Sequence, residues 1–360
     1  MRGFVMPEDH FQNLLALLPE NEQEVVDLQD LFHNFTMDRA TELLLGQSVG
    51  SLSLTKSGTF DTFSHSFRVA SEDVIAAVRL GPLAKIFTSG KVVSARKQVH
   101  TFVERFIDEA LEARDQGTDG KLKDSNDSSR GRRYNFLHEL VRVTTDRQVI
   151  FDEVISALFA GRDTAASLLS NLFFCLARDP KMWARLRDEV CQLPPDYDQA
   201  DLARLKYTNM CINESLRLHP PVPLNARCPK EDVVLPKGGG AAGEDPVLLR
   251  ADTIIILNMF ALHRSLNIYG TDADEFRPER WEDRKPEWAH MPFGAGPRAC
   301  LGRQLALAEV TYVLVRMAQE FECITPADEV DWEEEATMTL CVKHGCNVRL
   351  TGGKNDRGTT

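Results

Sequence analysis

Cys300 stands in a loop of small and turn-forming residues, directly before a segment with the spacing of a helix. Gly294, Gly296 and Gly302 let the backbone of this loop adopt unusual φ angles and approach a ligand closely. The N–H groups that begin the following helix, together with Arg298, can stabilise the thiolate form of a cysteine. A buried cysteine in an ordinary turn is the alternative. The residue types favour a ligand-binding thiolate.

A second candidate lies within a long helix, which the sequence predicts from about Asp146 to Arg178. Residues 160–164 of this helix are Ala-Gly-Arg-Asp-Thr. Glycine inside a helix costs about 1 kcal/mol relative to alanine, and threonine is also a poor helix former. Glycine, Asp163 and Thr164 together in a buried helix indicate a groove in which something binds. An irregular core helix is the alternative.

A charged pair marks a third candidate. Glu214 and Arg217 lie three positions apart, so they share one face of a helix that ends by Leu218, before Pro220. Taken alone, this spacing is typical of a commonplace surface pair.

These segments resemble motifs of the cytochrome P-450 family and occur in the family's order. The match to the motif F-x-x-G-x-R-x-C-x-G covers all its defined positions, which are Phe293, Gly296, Arg298, Cys300 and Gly302. The resemblance implies a haem iron bound by the Cys300 thiolate, which donates electron density and favours O–O cleavage. It also implies that Arg298 and Arg227 bind the haem propionates, for which a guanidinium group is suited.

The other two candidates match further motifs of the same family. The resemblance to A-G-x-D-T gives Thr164 the oxygen-binding groove and proton delivery, with Asp163 in the same relay. Glu214 and Arg217 match E-x-x-R, and a downstream P-x-R motif adds Arg280 as their partner. The resemblance implies that these three residues form a structural brace on the haem side of the core.

The similarity is strongest to the fungal branch of the family that hydroxylates n-alkanes and fatty acids. It rests on segments 158–166, 233–240, 261–264 and 268–270. The glycine-rich part, Gly238–Gly240, is the most specific of these to the branch. No G-K-[ST] sequence and no helix follow this run, so a flexible connection is expected there and a phosphate site is not.

The sequence pattern predicts a mainly α-helical chain with a small β portion, consistent with the cytochrome P450 fold. Short β-like runs lie between Val222 and Leu257, and a last helix begins at Leu301. Residues 117–133 are rich in glycine, serine and charged residues, which indicates a flexible loop between helices. The whole chain, 1–360, is expected to form one domain.

Composition excludes several classes of protein. The chain has 360 residues and a formal net charge of −12, whereas nucleic-acid binding requires a net basic face. Its eight cysteines include no C-x-x-C pair, so reduced thiols are expected. The apolar stretch from Thr164 to Ala177 is too short to span a bilayer, and residues 1–10 lack the core of a signal peptide.

Chains of this family are longer at the N-terminus. The resemblance implies a preceding membrane anchor, several strands and a W-x-x-x-R helix, none of which this sequence contains. We therefore expect a partial domain, with one propionate contact and one wall of the substrate pocket missing. The resemblance places the family at the endoplasmic reticulum membrane, on its cytosolic face, held there by an anchor absent from this chain.

The function implied by the resemblance is haem-dependent monooxygenation. One atom of O₂ would enter a C–H bond of a small hydrophobic substrate, with electrons from NADPH through a separate NADPH-cytochrome P450 reductase. Basic residues near the cysteine could dock that acidic partner, namely Arg284, Lys285, Arg298 and Arg303. Two alternatives stay open. One is a reductase-independent haem-thiolate isomerase or dehydratase, and the other is a non-catalytic remnant that binds haem poorly.

Overall fold

The computed structural model describes residues 7–53, 59–81, 89–116, 135–283 and 288–352. Most of this chain is helical, which confirms the predicted fold class, while the loop predicted at 117–133 lies outside the described residues. The longer helices are α1 (Glu8–Leu17), α2 (Leu28–Leu45), α3 (Thr59–Leu80), α4 (Gly90–Asp115), α5 (Phe136–Val143), α6 (Arg147–Ala177), α7 (Pro180–Val190), α8 (Gln199–Arg204) and α9 (Lys206–Leu218). They are followed by α10 (Met259–Leu262), α11 (Leu266–Tyr269), 3-10 turns at Pro278–Trp281 and Gly296–Arg298, and α12 (Arg303–Glu320).

The strands form small antiparallel sheets at the margins of the helices. They are β1 (Val26–Asp27), β2 (Leu224–Arg227), β3 (Val233–Gly239), β4 (Asp245–Leu249), β5 (Ile255–Asn258), β6 (Cys323–Pro326), β7 (Glu334–Ala336), β8 (Leu340–Val342) and β9 (Asn347–Thr351). One sheet has three strands in the order β1-β9-β6, and the pairs β2-β5, β3-β4 and β7-β8 form two-stranded sheets. The β2-β5 pairing sets Ala226 opposite Ile256.

The long helix α6 has the ends that its sequence predicts. The Asp146 side chain accepts hydrogen bonds from the first amides of α6, and Asp179 caps α7 with Pro180 in its first turn. Residues 165–174 are all buried, because α2, α7, α9 and α12 pack around this half of the helix. The first half is exposed on one side, so the expectation of a buried helix is correct only for the C-terminal half.

Two apolar clusters form the core. The larger contains the C-terminal half of α6 with α1, α7, α9 and α12, and Phe173, Leu216 and Val313 are among its buried members. The smaller joins α3, α4 and α5 to the N-terminal half of α6, with Phe63 and Phe102 stacked 4.1 Å apart between ring centroids. Segment 160–164 therefore lies where the two clusters meet along one helix.

Two details differ from the sequence-based expectation. Gly238 and Gly239 end strand β3 of a β3-β4 hairpin, so they are not a flexible connection. A Cβ atom on Gly239 would lie 2.6 Å from the Pro246 carbonyl oxygen, so the close approach of the two strands requires glycine there. The last helix begins at Arg303 and not at Leu301, because Gly302 is its N-cap.

No helix within the described ranges is both long and apolar enough to cross a membrane.

Candidate functional site

Cys300 lies at the start of α12, in a loop that backbone hydrogen bonds hold closed. The Cys300 amide donates to the Phe293 carbonyl oxygen at 2.9 Å, and the Ala299 amide donates to Gly296 at 3.0 Å. Gly294 and Gly296 have φ angles of 67° and 71°, in the left-handed region that favours glycine. The glycines therefore allow a tight loop that fixes where the cysteine stands.

The Cys300 side chain is exposed beside the first turn of α12. A Cβ atom on Gly302 would lie 4.0 Å from Cys300 Sγ, so the sulfur is close to the helix N-terminus. Since Gly302 has no side chain to cap the first amides, the positive end of the helix dipole stays available to a thiolate. Leu301 beside it is 99% exposed, which leaves an apolar side chain uncovered at the same surface.

The three residues of the expected brace lie together. Arg217 Nε donates to Glu214 Oε2 at 2.9 Å and its Nη2 donates to Oε1 at 2.8 Å, a bidentate pair. Arg280 Nε donates to Glu214 Oε1 at 2.8 Å. The side chains of Glu214 and Arg217 are both completely buried, which excludes the alternative of a commonplace surface pair.

Two further donors complete the environment of the Glu214 carboxylate. Trp281 Nε1 donates to Oε2 and the Arg277 amide donates to Oε1, both at 2.9 Å. The remaining N–H groups of the two arginines donate to backbone carbonyl oxygens of His263, Tyr269, Asp272, Ala273 and Glu275. The second positive charge of this cluster is balanced by these carbonyl dipoles and by the Asp272 carboxylate, whose Oδ1 lies 3.5 Å from Arg280 Nη1.

Asp163 is held by charges on both sides. Arg162 Nη1 donates to Asp163 Oδ1 at 2.7 Å, and His33 Nδ1 from α2 lies 3.6 Å from the same oxygen. Burial disfavours the charged His33 ring, but Asp163 and Cys341 outweigh it and raise the pKa of His33 to about 9. Burial also opposes ionisation of Asp163, yet His33 and Arg162 hold its pKa below the usual value. At neutral pH this acid is a carboxylate between two cations.

Thr164 is half-buried, and its hydroxyl donates to the carbonyl oxygen of Ala160 at 2.7 Å. A hydroxyl bonded back to the preceding turn bends a helix slightly and can exchange that partner for water. Gly161 is exposed on the same turn, with Ala40 of α2 on one side. The helix is therefore accessible at this turn, while its backbone stays α-helical.

The two arginines assigned to the haem propionates lie in different settings. Arg298 is exposed, and no ion pair with a described residue involves its guanidinium group. Arg227 lies on β2, where its Nη1 donates to Asn225 Oδ1 and to the Ala226 carbonyl oxygen, both at 2.8 Å. No hydrogen bond or ion pair between described residues joins Arg227 or Thr164 to the Cys300 loop. The Cys300 loop is connected to the helix that carries Thr164 by the packing of α12 on α6.

Sequence reasoning missed several members of these clusters. The sequence pattern does not indicate a site role for His33 or Trp281. It places His263 and Tyr269 only in segments that resemble the fungal branch. Trp281 directly follows Arg280, so its position next to the brace was a signal that could have been used. His33 offered no comparable signal, because it meets Asp163 only through the packing of α2 on α6.

Comparison with known proteins identifies the family. The family model described as Cytochrome P450 matches residues 7–348. This chain belongs to the cytochrome P450 family. The match confirms the family predicted from the Cys300 loop, and haem is the cofactor of this family.

The similar proteins are fungal cytochrome P450s. Cytochrome P450 monooxygenase fsdH of Fusarium heterosporum is 41% identical, over 98% of this chain and 63% of the relative. For cytochrome P450 monooxygenase himC of Aspergillus japonicus the identity is 43%, over 96% and 62% of the two chains. Cytochrome P450 52A13 of Debaryomyces hansenii is 35% identical, over 96% and 68%. The chain thus spans slightly less than two thirds of the length of the first two relatives.

The loop around Cys300 fits a haem group. The thiol is exposed at a helix N-terminus, and Cβ atoms on Gly294 or Gly296 would meet no heavy atom closer than 4.0 Å. A flat ligand can therefore lie against the loop backbone, while Leu301 offers an apolar contact. Arg298 offers a carboxylate a guanidinium group that forms no ion pair with a described residue.

Glu214→Ala is expected to lower the free energy of unfolding by about 3–5 kcal/mol, because it leaves two buried guanidinium groups without their carboxylate. The variant should also retain little haem. Urea unfolding and the haem-to-protein absorbance ratio measure both effects. Glu279→Ala is the matched control, since its half-exposed pair with Arg185 contributes at most about 1 kcal/mol. Equal stability of the two variants would show that the brace is unimportant.

Buried histidines should make the protein sensitive to acid. Burial lowers the pKa of His263 to about 4 and that of His290 to about 3, from an ordinary value of 6.5. Burial also lowers the pKa of His219 well below that value. Each ring stays neutral in the folded protein, whereas the unfolded chain binds a proton below about pH 6.5.

The stability from these rings is therefore fully present above about pH 6.5 and is lost as the pH falls toward 4. His33, with its raised pKa, acts in the opposite direction above about pH 6.5, where the folded ring is charged and the unfolded ring is largely neutral, but the three neutral rings outweigh this single group. Carboxyl groups whose pKa is raised by burial act in the opposite direction as the pH falls, and these are Asp27, Asp38 and Glu309. The urea midpoint should fall between about pH 7.5 and 5.5, and less so in His219→Leu. An unchanged midpoint would contradict this expectation.

Proposed function

We propose that this protein is a haem-dependent monooxygenase that inserts one atom of O₂ into a C–H bond of a hydrophobic substrate. The observation that carries the proposal is Cys300, an exposed thiol in a glycine-shaped loop at the N-terminus of α12. Haem bound through a thiolate supplies the activation of dioxygen. The second oxygen atom leaves as water, with electrons from NADPH through a separate flavoprotein reductase.

Each candidate residue has a role in this proposal. Cys300 would hold the haem iron through its thiolate, and the dipole of α12 would stabilise the negative charge of that thiolate. Arg298 would pair with one haem propionate, and Arg227 would pair with another after exchanging its bonds within β2. Glu214, Arg217 and Arg280 keep the backbone around the loop in place, so they act through position and not through chemistry.

Proton delivery is assigned to the accessible turn of α6 that carries Asp163 and Thr164. The Thr164 hydroxyl, now bonded to Ala160, can rotate to hold a water molecule in the groove. Asp163 is a carboxylate at neutral pH, so it can accept a proton from the water network and return it. Arg162 and His33 keep it ionised and fix its position.

For the substrate we propose an alkane-like or fatty-acid-like molecule, as the resemblance to the fungal branch implies. The cytochrome P450 52A proteins among the similar sequences support this choice. We place the enzyme at the endoplasmic reticulum membrane, as the family resemblance implies, and treat residues 1–360 as part of one domain. Docking of an acidic reductase would use Arg298 and Arg303, both exposed beside Cys300, while Arg284 and Lys285 lie outside the described residues.

Thr164 within A-G-x-D-T favours this reaction over a reductase-independent isomerase or dehydratase, which needs no proton delivery to dioxygen. A non-catalytic remnant would differ in a simpler way, because it would bind haem poorly.

Cys300→Ser should abolish the strongly red-shifted Soret band of the reduced protein under carbon monoxide, because the band requires a thiolate ligand. Cys228→Ser is the control, since Cys228 is also exposed but lies outside the loop. It should leave the band intact. A band that survives in Cys300→Ser would assign the ligand to another residue, and a wild-type protein without haem would support the remnant.

Thr164→Ala should keep haem and consume NADPH with a reductase, but release more hydrogen peroxide for each product molecule. Loss of the hydroxyl removes the group that holds the proton-donating water. Thr36→Ala on α2 is the control, because its hydroxyl makes the same bond to the preceding turn, 2.9 Å from the Phe32 carbonyl oxygen. The ratio of product to NADPH consumed is the measurement. Equal ratios in both variants and the wild type would remove Thr164 from the mechanism.

A further inference from the structure

The segment just before the cysteine loop is tied to the brace by two side chains. The Met291 amide donates to His263 Nε2 at 3.1 Å. The Tyr269 hydroxyl donates to the Ala289 carbonyl oxygen at 3.0 Å. Both side chains come from the short helices α10 and α11 and their ends, so they reach the segment from one side.

His263 is itself fixed by the brace. Its carbonyl oxygen accepts a hydrogen bond from Arg217 Nη1 at 2.8 Å, and Arg217 is the bidentate partner of Glu214. The residue is completely buried. One residue therefore accepts from the brace with its backbone and from the loop segment with its ring.

Contacts between aromatic rings connect His263 to Glu214 by a second path. The His263 ring lies 5.2 Å from the His290 ring, and His290 lies 4.6 Å from the Trp281 ring, between centroids. Trp281 donates to Glu214 Oε2. The path from Glu214 through His263 and back through Trp281 is thus a continuous set of contacts.

The far end of the segment leads directly to the thiol. The Gly294 amide donates to the Met291 carbonyl oxygen at 3.0 Å, and the Cys300 amide donates to Phe293 at 2.9 Å. A displacement of Met291 would therefore shift both turns of the loop. Because the loop backbone sets where Cys300 stands, the anchor at Met291 controls the position of the sulfur.

The chemistry of the contact requires an uncharged ring. An imidazolium has no acceptor, whereas a neutral imidazole has one donor and one acceptor. Burial lowers the pKa of His263 to about 4, so the ring is neutral at neutral pH. With the proton on Nδ1, Nε2 can then accept the hydrogen bond from the Met291 amide.

We propose that His263 is a positioning residue that transmits the Glu214–Arg217–Arg280 brace to the Cys300 loop through its bond to the Met291 amide. The part of this proposal that concerns haem rests on the proposed function, whereas the anchoring of Met291 does not. His263 does not touch the reacting atoms. It is expected to decide how firmly the loop holds the cysteine.

Three substitutions in the full chain test the role. His263→Gln places an amide oxygen at the reach of Nε2 and keeps the acceptor. His263→Asn carries the same amide group at the position of Nδ1, too short to reach Met291. His263→Leu keeps volume and removes the acceptor. His219→Leu is the control for loss of a buried imidazole, because His219 stacks on Trp332 and not on the loop.

Hydrogen–deuterium exchange of peptides that cover residues 286–300 is the first readout. His263→Asn and His263→Leu should speed exchange at Met291 about tenfold, since the part-buried hydrogen bond of its amide is lost from the closed state. His263→Gln should stay near the wild-type rate, and His219→Leu should not affect this segment. The second readout is the share of the reduced, carbon monoxide-bound protein that keeps the red-shifted thiolate band, which should fall in the same order.

If His263→Asn exchanges like His263→Gln, the acceptor is irrelevant and the proposal is wrong. Should His263→Leu fail to fold, the Asn and Gln pair still decides, because the two differ only in reach. A wild-type protein without the thiolate band would refute the proposed function. The exchange rates would still test whether His263 anchors the Met291 amide.

Discussion

The Glu214 carboxylate is the interaction on which the rest of the site depends. It is completely buried, and it accepts hydrogen bonds from Arg217, Arg280, the indole of Trp281 and the Arg277 amide. A buried carboxylate is strongly unfavourable unless its charge and its lone pairs are matched, so none of these donors is dispensable. These donors come from two stretches of chain, α9 and residues 277–281, and the carboxylate therefore holds the turn at Pro278–Trp281 against α9.

The position of the cysteine loop depends on the buried Glu214 carboxylate. Arg217 holds the backbone of His263, whose ring holds Met291, and the loop closes from there to Cys300. On the other side of the site, charge is again matched locally, because Arg162 and His33 flank the Asp163 carboxylate. The two regions are joined by apolar packing between α6 and α12, which is stiff because protein interiors are close-packed.

Whether a feature of the site can be predicted from the sequence depends on how far apart along the chain its interacting residues lie. The cysteine loop is local, so its glycines and the following helix were readable from spacing, as were the ends of α6 at Asp146 and Asp179. The grouping of Glu214 with Arg280 came from family resemblance, since 66 positions separate them. His263 and His33 could not be assigned, because nothing in a sequence states which imidazole will face which amide or carboxylate after packing.

The prediction of a flexible connection at residues 238–240 was wrong, because a contact with another strand decides the structure there. Its composition is typical of a flexible link, yet Gly239 is required by the close backbone of Pro246 across the hairpin. A glycine can provide backbone flexibility or allow another backbone to approach closely. Which of the two applies depends on the partner strand, and the local sequence does not show where that strand lies.

The central claim is that the buried carboxylate and the cysteine loop form one coupled unit through His263. A double-mutant cycle on the free energy of unfolding tests it most directly, with Glu214→Gln, His263→Asn and the pair together. Since Arg217 contacts both residues, the two changes should be non-additive by about 1 kcal/mol or more. Effects that add within about 0.3–0.5 kcal/mol would mean that brace and loop are independent, and would contradict the account.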